Sequence, residues 1–281
     1  MAVSQLLFIK AAMPVVGLCI ILPLGLAAYF EPKKDYSRRI FLSMLYSCSV
    51  ILLAEGIQWL LQDQPSGWKT VSLWITMFVF YTMLSSLCYF WTVYSYYWFN
   101  NNPPSGKATA WFLAGAVIEI AALVCNFFNG NIFSVSADGY YTRGSIFPAY
   151  IVFSYLYLIG AILITAFGAA KRNGKEHRQD YIMFLFCFLF PIIGPIVQYV
   201  FQELPLMGVS EAIALLIVYV SIQQRTNARY AVERARYQDE YREYEESMEQ
   251  LLTESADALF VFRLDLTENT HSGEHGLPPE N

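Results

Sequence analysis

Seven stretches of the chain stay apolar for about 20 residues each, near positions 6–30, 40–61, 71–99, 108–128, 148–170, 181–201 and 209–224. A helix rises ~1.5 Å per residue and the hydrocarbon core of a bilayer is ~30 Å thick, so each run has the length of a membrane crossing. The composition agrees, with 56% of the 281 residues hydrophobic and 15% charged, more apolar than a soluble domain carries. The expected fold class is an all-α membrane protein, a seven-transmembrane helix bundle. The first run lacks a small-x-small cleavage site and reads as a membrane helix rather than a signal peptide. The seventh has no stop at its inner end, so one continuous helix is expected to leave it.

Loop charge orients the spans. Lys33, Lys34, Arg38, Arg39, Lys107, Lys171, Arg172, Lys175 and Arg178 fall on one side, with Arg225 and Arg229 just after the seventh span, whereas Lys10, Lys69 and Arg143 fall on the other. This predicts an outer N-terminus and a cytoplasmic C-terminus in a bacterial inner membrane. The net charge of −5 gives no reason to expect nucleic acid. Cys19, Cys48, Cys88, Cys125 and Cys187 are scattered through apolar runs, and His177, His271 and His275 form no constellation, so neither a metal site nor catalysis nor a cofactor is indicated. The last span contains no lysine, which excludes a retinal Schiff base there.

Ionisable side chains in lipid cost at least ~2.5 kcal/mol and tend to face the bundle interior. Glu55, Glu119 and Glu211 lie in the outer half or near the midplane, with Gln58, Trp59, Asn126, Gln198 and Tyr199 at helical spacing on the same or neighbouring spans; Gln202 and Glu203 follow. Converging, they form an outward-opening pocket with aromatic walls for a small molecule, an amine or another cation. Alternatively the two central glutamates are protonated packing groups. Pro191, Gly194 and Pro195 mark the sixth span as kinked, either a static bend or a hinge. The aromatic run from Tyr89 to Phe99 reads mostly as interfacial belt. The external loop from Asn129 to Phe147 is a surface hairpin or connector, or a lid over the pocket.

Beyond the spans, Tyr230, Arg234, Tyr237, Tyr241, Tyr244, Met248, Leu251 and Ser255 alternate at spacings of four and three. This is a heptad seam, poor enough to make a marginal coiled-coil homodimer, with an amphipathic surface helix as the alternative. Ala258–Leu266 is β-prone and precedes a turn signal, so a strand is expected there, the first of a domain that the chain does not complete.

Phe190-Pro191-Ile192-Ile193-Gly194-Pro195-Ile196-Val197-Gln198 and Tyr219-Val220-Ser221-Ile222-Gln223-Gln224-Arg225 resemble the seven-helix sensor regions of bacterial histidine kinases and GGDEF-type diguanylate cyclases. Phe262–Asn269 resembles the opening strand of PAS-like domains. The resemblance implies a sensor domain over 1–224, a coiled-coil signalling helix over 225–256 and the start of a PAS-like domain over 257–281. It further implies a non-catalytic input module for an output enzyme, the cyclase first and the kinase second. The partners expected are membrane lipid, a second copy and an unidentified small ligand. A small-molecule transporter is the alternative from another class, and a purely structural anchor a third.

Overall fold

The computed structural model describes residues 2–31, 35–61, 67–100, 102–136, 138–171, 182–201 and 204–271, with 2–9, 168–171, 222, 225–230, 254 and 256–271 described by backbone alone. Four apolar helices come first: α1 (Ala2–Phe30), α2 (Tyr36–Leu61), α3 (Gly67–Asn100) and α4 (Gly106–Asn129). A hairpin of β1 (Phe133–Val135) and β2 (Tyr141–Arg143) follows, then α5 (Phe147–Lys171), α6 (Leu189–Val200) and α7 (Met207–His271). Among the described residues, six helices are long and apolar enough to cross a membrane, and the shorter apolar stretch Met207–Ser221 opens α7. The bundle of seven apolar helices is therefore as read, and among the described residues the span that holds α6 is interrupted. Its span runs Ile182–Val200 but turns at Phe188 before resuming. Pro191 supplies no N–H for the carbonyl four residues back, so the ladder cannot run through that point.

Residues 1–222 form one compact unit and 223–281 another. In the first, α3 is the hub, packing along α2, α5 and α4 and against β1. Its inward residues recur at three and four: Leu73, Met77, Phe80, Tyr81, Leu84, Leu87, Cys88, Trp91 and Tyr94 are all buried. Trp91 and Tyr94 are completely buried, so this part of the aromatic run is core rather than interfacial belt. Phe184 explains it by stacking on Tyr94 at 6.0 Å and Trp98 at 6.1 Å. In lipid such packing, rather than release from water, holds helices together.

α4 is the opposite case, because most of its surface is exposed and only Ala116, Glu119, Leu123 and Asn126 are buried. Ser105 caps its first turn, accepting from the Ala108 N–H at 3.4 Å, and Gly130 ends it in a left-handed conformation at φ 64°. The loop from Asn129 to Phe147 is a hairpin in which Val135 pairs with Tyr141 and Phe133 with Arg143. Gly139, at φ 81°, makes the reversal that its lack of a Cβ permits.

The second unit contains the rest of α7. Ala258–Leu266, expected as a strand, is helix to His271. After Gly208 the helix meets neither glycine nor proline, and extending it one residue costs far less than starting a sheet. Within 258–266 only Val261 is β-branched, whereas Ala258, Leu259, Arg263, Leu264 and Leu266 favour helix. Residues 272–281 of the anticipated third segment lie outside the described residues.

Candidate functional site

The polar residues picked from the sequence separate into three groups. The first gathers at the start of α7. Gln198, near the end of α6, accepts from the Leu206 N–H at 3.1 Å and the Met207 N–H at 2.7 Å, satisfying two amides that a helix start leaves without intrahelical partners. Glu55 of α2 faces the Gln198 side chain and the Gly208 N–H, yet neither carboxylate oxygen completes a hydrogen bond with a described residue. A side chain at position 208 would strike Leu52 and come within 2.9 Å of Glu55 Oε2, so glycine lets α7 approach this closely. Cys48 packs alongside, its Sγ 3.7 Å from the Gly208 carbonyl. One turn along α7, Glu211 accepts from the Trp91 indole N–H at 3.2 Å. Gln58 is half-buried, and Trp59 lies under Lys10 Nζ at 4.5 Å, its own indole N–H buried without a hydrogen-bond partner among the described residues.

Glu119 belongs to a second group on α3, α4 and α5. Its carboxylate faces the hydroxyls of Ser85 and Ser154, and Tyr150 lies beside them. Both Glu119 oxygens are buried and lack a hydrogen-bond partner among the described residues. Cys88 stands within electrostatic reach of Glu119 and Glu211 and so adjoins both groups. Toward the hairpin, Tyr150 donates to the Tyr81 carbonyl at 3.4 Å, and the Tyr81 hydroxyl meets that of Tyr141 on β2 at 2.6 Å.

Asn126 and Tyr199 form the third, in neither carboxylate's surroundings. Asn126 holds the hairpin: its Oδ1 accepts from the N–H groups of Ile132 at 2.7 Å and Phe133 at 3.3 Å, and its Nδ2 donates to the Phe133 carbonyl at 2.9 Å. Three of its four hydrogen-bonding directions serve the loop, which places it at the hairpin rather than beside the carboxylates. Tyr199 is 62% exposed and stacks under the Arg143 guanidinium at 5.1 Å, which sets it apart too. Gln202 and Glu203 lie outside the described residues.

In α6, Pro195 has no N–H to give the Pro191 carbonyl, and the Tyr155 hydroxyl donates to that carbonyl instead, at 3.2 Å. Gly194 faces Ser210 and the Leu206 carbonyl where a Cβ would clash. The bend is thus held by α5 on one side and seats the first turn of α7 on the other. Sequence reasoning missed Ser85, Ser154, Tyr150, Trp91 and Gly208, which complete the two carboxylate groups.

Fold and site together define a multi-pass helical membrane protein with buried carboxylates around the start of its last helix. A family model of the N-terminal 7TM region of histidine kinase matches residues 15–226, and the chain belongs to that family. The match is to the sensor region at the N-terminus of the family's architecture. No curated protein and no solved structure matches.

Proposed function

We propose that the chain is the sensory input of a bacterial transmembrane histidine kinase, lying in the cytoplasmic membrane with its N-terminus outside and the tail of α7 inside. The family match over 15–226 carries this reading. It puts a kinase output ahead of the diguanylate cyclase that the sequence resemblance ranked first, and nothing favours a transporter. In this reading a ligand engaging Glu55, Gln58, Trp59 and Glu211 shifts the start of α7. Pro191, Gly194 and Pro195 act as the hinge through which α6 follows.

The shift would pass to a dimeric coiled coil over 225–256. Tyr237, Tyr241, Tyr244, Met248 and Leu251 are exposed on the single chain at heptad spacing, as a seam awaiting a second copy requires; the Tyr230 side chain lies outside the described residues. Ion pairs such as Arg236–Glu240 at 2.9 Å hold the charged surface of the helix. Cysteine cross-linking in membranes tests the seam. Tyr237→Cys and Tyr244→Cys should give disulfide dimers and Asp239→Cys, on the outer face, few; equal or absent cross-linking at all three would sink the coiled-coil mechanism.

A further inference from the structure

We infer that the tail seam of α7 reads ionic strength, two copies pairing loosely at low salt and tightly at high salt. The inference rests on the dimeric coiled coil proposed above and adds a second input to it. Two copies in one membrane share a topology, so their tails run parallel and in register from the ends of their last spans. Charge along the tail opposes that arrangement. Residues 225–236 carry four arginines and one glutamate, whereas 237–256 carry one arginine and seven acids, net charges of +3 and −6. Parallel pairing lays like on like in both halves. An antiparallel pair would match the halves, but the shared membrane forbids it.

The heptad places the repulsion at particular residues. With Tyr237 and Tyr244 at d, Arg234 and Tyr241 fall at a, Glu240 at g and Glu245 at e. In a parallel pair Arg234 then meets Arg234 of the second copy, and each Glu240 meets Glu245 of the second copy. All three residues are exposed on the single chain. Arg236 lies 2.9 Å from Glu240 of its own chain, but with side chains 80% and 53% exposed the pair is weak and offsets Glu240 only in part. Arg242 turns to Asp239 and Glu246, and no ion pair to Glu245 forms among the described residues. Salt screens exposed charges over the Debye length, ~30 Å at 0.01 M and ~3 Å at 1 M. Packed helix axes lie ~8–10 Å apart, inside the first length and beyond the second. The contacts of Tyr237, Tyr241, Tyr244, Met248 and Leu251 are uncharged and persist. Salt thus removes the repulsion and leaves the attraction, so the seam closes as ionic strength rises on the tail's side of the membrane.

The test is the rate of disulfide formation by Tyr244→Cys in the full chain, in open membrane fragments whose two faces meet the same KCl, from about 0.02 to about 0.5 M. Three exposed like-charge contacts of ordinary strength predict a rise of about 3–10-fold. Adding Glu245→Lys makes each contact with Glu240 attractive, so cross-linking should be faster at low salt and the rise should be lost; Glu245→Gln should fall between. Dimers that form at a rate indifferent to salt, a rise that Glu245→Lys leaves unchanged, or the same fold-rise at Asp239→Cys on the outer face would each overturn the inference and leave the coiled coil standing. Absence of cross-linking at every concentration would overturn both.

Discussion

Replacing Asn126 by leucine isolates the difference between a ligand residue and a loop clamp. The side chain makes three hydrogen bonds to the hairpin backbone, at 2.7, 2.9 and 3.3 Å, and is 1% exposed. Leucine matches its size but strands the N–H groups of Ile132 and Phe133 and the Phe133 carbonyl in a buried setting. Each stranded group costs about 1–3 kcal/mol; with the weak 3.3 Å bond at the low end and some relaxation of the hairpin, the sum is about 2–4 kcal/mol. For a unit of this size that lowers the Tm by about 5–12 °C. Phe133 anchors the hairpin on Trp74 at 4.9 Å and Tyr81 at 5.5 Å, so loosening it should expose the bond after Arg143 to trypsin. The measurements are the unfolding midpoint in nanodiscs and the rate of cleavage at Arg143. A leucine variant with wild-type midpoint and wild-type cleavage would refute the clamp.

Three further perturbations probe other joints. Gln198→Ala removes the two bonds to the first amides of α7 and should cost about 1–2 kcal/mol, read as a lower midpoint; a wild-type midpoint would refute the contact. Gly194→Val drives a branched side chain into Ser210 and the Leu206 carbonyl and should cost about 1–3 kcal/mol, with Gly194→Ala milder; equal stability of both with wild type would show that α6 and α7 are not in close contact. Glu31, between α1 and α2, has its pKa raised by partial burial and then by Asp35, with Arg38 opposing. A carboxyl that binds its proton more tightly when folded lowers stability as pH rises from its ordinary value of 4.5 through the raised one, so Glu31→Gln should raise the neutral-pH midpoint slightly and flatten its pH dependence.

The number of spans was legible because length and hydropathy are properties of each run alone. The partners of the polar residues were not. Ser85 and Ser86 are neighbours in the same apolar helix, and only the structure separates them: Ser86 bonds back to the Thr82 carbonyl, the ordinary habit of a helical serine, while Ser85 points at Tyr150 and Glu119. Asn126 stood out as a polar residue in lipid, but its bond to the hairpin was not legible, since the loop amides it satisfies lie six and seven residues ahead and carry no side-chain signature. Tyr199 has the right residue type on the right helix but the opposite face.

The strand expected at Ala258–Leu266 failed for a related reason, because β-propensity measures how well a side chain fits a sheet that already exists. Among the described residues the strands are β1 and β2, which pair with each other, while a helix arrives at the first residue of this segment already nucleated. The same logic bears on the seam before it. A helix that runs unbroken from Met207 to His271 has no internal stop at which a rotation or shift of its first turn would be absorbed. If the proposed signalling route holds, the residues that grip that turn, Glu55, Gln198, Gly194 and the Trp91–Glu211 pair, are where substitutions should alter cross-linking at Tyr244→Cys, while those at the hairpin clamp should alter stability alone.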